Sequence, residues 1–91
     1  MTAPVSVIVP ARNEAQTIAR VVSVLADMPD VGEVVVVDNG STDATAELAR
    51  GAGATVISET QTGMGHAVRA GVSAARHDWV MKVDADLDKF D

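Results

Sequence analysis

Four short apolar runs, residues 5–9, 34–37, 54–57 and 80–83, recur along this chain with a segment of helical character between each pair. The first two are nearly pure valine, Val5-Ser-Val-Ile-Val9 and Val34-Val-Val-Val37. A run without polar alternation fits a strand covered on both faces, the situation of a parallel sheet. The intervening segments carry the helical period. Ile18, Val21, Val22 and Leu25 fall at i, i+3, i+4 and i+7, a single apolar stripe, with Asn13 placed as an N-cap and Pro29 beyond the end. A second helix is expected to start at Ser41 or Thr42, with Asp43 as a favourable charge in its first turn and Gly51 and Gly53 as its stop. A third is expected over 65–75, where Val68, Gly71, Val72 and Ala75 repeat the spacing and a series of small residues permits close approach to a sheet. The order βαβαβαβ implies an α/β fold with parallel strands and right-handed crossovers.

Ninety-one residues make one small domain, 1–91, without internal repeat or linker. A chain of this size buries only about 60–65% of its unfolded surface, so its stability is marginal. The apolar content of 47% argues for folding. A net charge of −6 supplies no basic stripe for nucleic acid or an anionic membrane. With no cysteine there is neither a disulfide framework nor a thiolate metal site. No apolar run reaches the roughly 18 residues of a transmembrane helix, and no basic, apolar signal opens the chain. A soluble, cytoplasmic domain is expected.

Each apolar run leads into a polar or glycine-bearing loop: Pro10-Ala-Arg-Asn-Glu14 after the first, Asp38-Asn-Gly-Ser-Thr-Asp43 after the second, Gly63-Met-Gly-His66 after the third and Asp84-Ala-Asp86-Leu-Asp88 after the fourth. Open parallel sheets bind ligands at the carboxyl ends of their strands. An Asp-x-Asp there suits a hard divalent cation, which takes one or two carboxylates and completes its shell with water and phosphate. Other phosphate and metal motifs fit poorly. There is no Gly-x-x-x-x-Gly-Lys-Ser/Thr, the first loop lacks the glycines of a dinucleotide fold, and an EF-hand starting at Asp84 would put Lys89 where glycine is needed.

Taken together, Val5-Ser-Val-Ile-Val-Pro-Ala-Arg-Asn-Glu14, Val34-Val-Val-Val-Asp-Asn-Gly-Ser-Thr-Asp43, Gly63-Met-Gly65 and Asp84-Ala-Asp-Leu87 resemble, in order and approximate spacing, the successive blocks of family 2 glycosyltransferases with the GT-A fold. The resemblance covers the nucleotide-binding half of such an enzyme. It implies a Rossmann-like parallel sheet of about four strands, order 3-2-1-4, with helices on both faces. It also implies a nucleotide-diphospho-sugar donor, a UDP- or GDP-sugar, held with Mg²⁺ or Mn²⁺. Within the family, the glycine-rich block and Asp-Ala-Asp-Leu are similar to polyprenyl-phosphate mannosyl and glucosyl transferases, and less closely to glucosyl-phosphoglycerate synthases.

Site roles follow from the same resemblance. Asp86 would ligate the metal on the donor diphosphate and Asp84, with Ala85 between them, the ribose or a metal-bound water; Asp88 either completes the metal shell or is a surface carboxylate. Asp38 would contact the nucleoside, or else organise the Asn39-Gly40 turn. Pro10, Ala11, Arg12 and Glu14 would frame the base, Arg12 standing where relatives often carry an aromatic that stacks; the alternative role for Glu14 is that of a first-turn acid of the helix. Gly63, Met64 and Gly65 would bring helix N–H groups to phosphate or carbonyl oxygen, with Met64 where lysine is common. His66 is either a further donor or without a role.

Lys82 is unusual in a strand, because a buried lysine needs a partner or loses its charge; it is expected to reach solvent at an open edge rather than pair with a carboxylate. If the fourth strand lies beside the first, 80–83 form that edge, and more chain or another subunit, such as a second copy, is expected to cover it. No catalytic base is assigned, since the family supplies it from the other half. The competing readings are a truncated, non-catalytic nucleotide-binding or pairing module and, less well supported, a nucleotidyltransferase of related topology.

Overall fold

The computed structural model describes residues 4–85. Seven elements alternate as expected: β1 (Val5–Ala11), α1 (Ile18–Ala26), β2 (Val31–Asp38), α2 (Thr45–Gly51), β3 (Thr55–Ser58), α3 (Met64–Ala74) and β4 (Trp79–Lys82). The strands form one parallel sheet in the order β3-β2-β1-β4. Ala11 pairs with Asp38 and Asp38 with Ser58, so these three strands end level with one another. The last pairing of β4 is Lys82 with Ile8, so 83–85 climb beside the end of β1, anchored where the Val83 N–H donates to the Ile8 carbonyl at 3.0 Å. Pro10 fits inside β1 because its side of the strand faces β4, and that pairing has already stopped.

The unbroken valine runs serve two cores. Val7, Val9, Ala11, Val34 and Val36 pack against Ile18, Val21, Val22 and Leu25 of α1 and Ala49 of α2. Ile8, Val35 and Val37 face the other way, onto Ala67 of α3 with Ala70 and Ala74 beside it. The small side chains of α3 let the helix sit close to the sheet. At Gly71 a Cβ would overlap the Ile8 Cγ2 methyl and come within 3.2 Å of Val37 Cγ2.

Helix starts differ from the sequence reading. Asn13 does not cap α1: it adopts φ 54°, and α1 begins after Thr17. Nor does α2 start at Ser41 or Thr42, because both side chains bond the loop after β1, and the helix begins at Thr45. In each case a partner from the neighbouring loop outcompetes a local cap.

Beneath the amino ends of the strands lies a polar cluster. The Ser6 hydroxyl and the Arg76 N–H each donate to Glu33 Oε2 at 2.6 Å, the Arg76 guanidinium reaches Oε1 at 3.3 Å, and the His77 N–H donates to Ser6 Oγ at 3.2 Å. The Glu33 side chain is 6% exposed. Burial pushes its carboxyl up, but the hydrogen bonds from Arg76 and Ser6 outweigh this and hold it below the ordinary glutamate value. A carboxyl with a depressed folded-state pKa contributes stability above its unfolded pKa and loses it as pH falls through the folded value. Glu33→Gln is therefore expected to cost about 1 kcal/mol at neutral pH, the difference between charge-assisted and neutral hydrogen bonds. The gap to wild type should close as the pH falls below about 4.5, the ordinary glutamate value. Urea titrations of both proteins from pH 7 to pH 3 check this; a constant gap would contradict it.

The edge strand is bare. All four β4 residues are exposed, with Trp79 at 66% and Met81 at 54%, while α3 lies over β1, β2 and β3. Lys82 reaches solvent at this edge, as expected, but it also pairs with a carboxylate: Nζ lies 3.3 Å from Asp84 Oδ1, with side chains 44% and 42% exposed. A pair this exposed contributes little to stability.

Candidate functional site

The loops at the carboxyl end of the sheet are tied to one another by side chains. Asn13 Oδ1 accepts the Thr42 N–H at 2.8 Å, and the Asn13 N–H donates to Ser41 Oγ at 2.9 Å. Thr45, fully buried at the start of α2, accepts the Glu14 N–H at 2.9 Å and donates its hydroxyl to Asp43. Asp43 Oδ2 accepts the Ala15 N–H at 3.2 Å. The hydroxyl of Thr45 above all, opposed by burial and assisted by N–H donors, holds the Asp43 carboxyl below the usual aspartate value. On the far side of α1, the Thr17 hydroxyl donates to the Ala85 carbonyl at 3.0 Å and so fastens the segment after β4.

A third tie runs from Asn39, directly after β2. Its Nδ2 donates to the carbonyls of Glu59 and Gln61 at 3.0 and 2.9 Å, and its Oδ1 accepts the Gly63 N–H at 3.0 Å. Its own backbone N–H donates to the Ala11 carbonyl at 2.9 Å.

These ties frame a cleft of about 330 Å³ lined by Pro10, Ala11, Arg12, Glu14, Asn39, Met64, Ala67, Asp84 and Ala85. Seven sequence-predicted residues thus come together: Pro10, Ala11, Arg12, Glu14, Met64, Asp84 and Ala85. Asp38 is half-buried next to the cleft rather than in its lining, and its Oδ1 accepts the Ser41 N–H at 3.1 Å, the turn-forming role. Gly63 and Gly65 do not line it either. The Gly63 N–H is engaged by Asn39, so any anion at this helix start must use later amides. Asp86 and Asp88 lie outside the described residues. Among the described residues no group of three His, Cys, Asp or Glu side chains is arranged to hold a metal.

Asn39 and Ala67 are cleft residues that the sequence reading did not select. An asparagine straight after a strand-terminal aspartate signals only a turn; its long-range partners at 59, 61 and 63 become visible with the fold.

The wall chemistry is that of a small-molecule site, with apolar Pro10, Ala11, Met64, Ala67 and Ala85 beside ionisable Arg12, Glu14 and Asp84. No described helix is long and apolar enough to cross a membrane. Comparison with known proteins agrees with the geometry. The model of glycosyl transferase family 2 matches residues 6–87. The glycosyltransferase AglJ of Haloferax volcanii is 44% identical over 85 residues, which cover 90% of this chain and 27% of the relative. A glucosyl-3-phosphoglycerate synthase of Mycolicibacterium paratuberculosis is 39% identical over 93 residues, covering 91% of this chain and 28% of the relative. Among solved structures, the glucosyl-3-phosphoglycerate synthase of Mycobacterium tuberculosis in complex with Mn²⁺, UDP and glucosyl-3-phosphoglycerate aligns with a TM-score of 0.83 at 34% identity, over 92% of this chain and 34% of that one. The same protein has been solved with Mg²⁺ and UDP, aligning with a TM-score of 0.83 at 34% identity over 92% of this chain and 34% of that one. The chain spans about a third or less of the length of these proteins.

Proposed function

Because this chain belongs to glycosyl transferase family 2, we propose that it forms the donor-binding half of a metal-dependent glycosyltransferase that uses a nucleotide-diphospho-sugar. The observation that carries the reading is the convergence of Pro10, Arg12, Glu14, Met64 and Asp84, from three separate loops, on one cleft at the carboxyl end of the sheet. In this reading Pro10, Ala11, Arg12 and Glu14 frame the base and ribose. The Arg12 guanidinium stacks on the base or reaches a phosphate. Asp38 and Asp84 hold the nucleoside, and the amides after Gly63 face the diphosphate.

Asp84, Asp86 and Asp88 are oxygen donors of the kind Mg²⁺ and Mn²⁺ take. The Asp84 carboxylate lies at the cleft with its side chain 42% exposed, and among the described residues its ion-pair partner is the solvent-screened Lys82, an exposed pair that a cation can displace. A bound cation supplies positive charge against the diphosphate as the sugar departs. The acceptor is proposed to carry a phosphate. Polyprenyl phosphate follows from the sequence resemblance, and phosphoglycerate is the acceptor half of the product in the M. tuberculosis complex. The exposed β4 supports a further part of the reading, that a C-terminal half or a second subunit covers this edge. It equally suits the alternative of a non-catalytic module that binds nucleotide and pairs through β4.

Calorimetric titration of UDP and of GDP, each with Mn²⁺ and with EDTA, tests the proposal on the wild type and on Asp86→Ala. One nucleotide should bind with metal, and binding should fall by more than about 100-fold in EDTA or in the variant, beyond the 10–100-fold that loss of an outer-shell partner costs. Failure of the folded wild type to bind either nucleotide would sink it. Turnover of the matching nucleotide-sugar separates enzyme from module.

A further inference from the structure

We propose that Asn39 is the positioning residue of the nucleotide cleft: its carboxamide holds the start of α3, and with it Met64, against the ligand, and only an amide can do so. The inference rests on the donor-site reading above and concerns a residue to which that reading gives no part.

Asn39 is 8% exposed and stands where three loops meet. Its two Nδ2 protons go to two carbonyls, Glu59 and Gln61, and its Oδ1 takes the Gly63 N–H. Two donors and one acceptor on one short, planar group is a demand that asparagine meets and aspartate does not: an ionised carboxylate is an acceptor on every side and would face two carbonyl oxygens. Among the described residues the charged groups lining the same cleft are Arg12, Glu14 and Asp84, so a further anion would meet two carboxylates and one guanidinium there. Glutamine carries the same group one methylene too far out.

The receiving end is equally constrained. Gly63, the residue before α3, has φ 121° and ψ 146°, a conformation essentially restricted to glycine. In that conformation its N–H points at Asn39, and the next residue, Met64, is cleft lining. Glu59 Oε2 accepts the Gln61 N–H at 2.9 Å and stiffens the segment between the two carbonyls that Asn39 grips. The helix start is thus placed by a side chain from β2 and not by a cap of its own, for α3 has no side-chain cap.

Two variants separate position from charge. Asn39→Asp keeps the shape and adds a charge; Asn39→Leu has similar size, no charge and none of the three bonds. In ¹⁵N–¹H spectra of folded protein, both should speed exchange of the Gly63 amide proton at least about tenfold, and in the presence of Mg²⁺ both should weaken binding of whichever of UDP and GDP the wild type takes by at least about tenfold. Glu33→Gln, a destabilised control at the opposite end of the sheet, should keep its affinity within about twofold. Wild-type affinity in a folded Asn39→Leu protein overturns the proposal, as does equal loss in Glu33→Gln. The wild type supplies a readout that needs no variant to fold: both Asn39 Nδ2 protons should exchange slowly and shift when Mg²⁺ is added with whichever of UDP and GDP binds, and unshifted signals overturn the proposal. If the wild type binds neither UDP nor GDP, the donor-site reading fails, and exchange at Gly63 still decides whether Asn39 places the helix.

Discussion

Gly71→Ala is expected to lower the melting temperature by roughly 8–16 °C, although alanine is the better helix former. Exchanging glycine for alanine inside a helix ordinarily gains about 1 kcal/mol. Here the new methyl would overlap Ile8 Cγ2, a side chain with no exposure in the central strand, so neither partner can swing into solvent. Overpacking of this kind costs about 1–3 kcal/mol, occasionally more. With the overlap as deep as it is, the upper end applies, and the net loss is about 2 kcal/mol. For a domain of this size each kcal/mol moves the midpoint by about 4–8 °C. Calorimetric melts of the two proteins provide the check. A variant as stable as wild type would mean that α3 stands farther from β1 than described.

The complementary change is expected to cost more. Ile8→Ala removes a fully buried side chain at the centre of the α3 core, where Val35, Val37 and Ala67 surround it, and such truncations cost about 2–5 kcal/mol. Total stability at the usual 0.05–0.15 kcal/mol per residue is about 5–14 kcal/mol, so this one substitution takes a large share. Urea unfolding measures it. Combined with Gly71→Ala it should show favourable coupling of about 1 kcal/mol or more, because the alanine methyl enters the space that Ile8 vacates. Strict additivity of the two changes would argue that they do not touch.

These two residues also show what could be read before the fold was seen. The spacing of Val68, Gly71, Val72 and Ala75 marked a helix face small enough for close approach, and Gly71 lies on it. Strand order, too, was legible, but through the resemblance to family 2 glycosyltransferases, which implies 3-2-1-4; the four polar loops by themselves mark only the edge of the sheet where Asp84 and Pro10 meet. What stayed hidden were contacts between residues distant in sequence. Asn13, Ser41 and Thr42 each have the composition of a local cap, and each instead bonds a loop almost thirty residues away. Asn39 looked like a turn residue for the same reason: its three partners lie 20, 22 and 24 residues on, and no local pattern announces them. For Lys82 the sequence sets solvent against a carboxylate, whereas an exposed edge next to Asp84 allows both.

The bare fourth strand also gives the protein an optical property. Trp79 is the only tryptophan in the chain, and it lies 66% exposed at the start of β4, outside the lining of the cleft. The emission of an indole moves to shorter wavelength when water is excluded from it. The intrinsic fluorescence of this molecule therefore reports on a single place, the margin of the sheet. A second polypeptide settling over that margin would change the colour of the light, while a nucleotide entering the cleft would leave it nearly as it was.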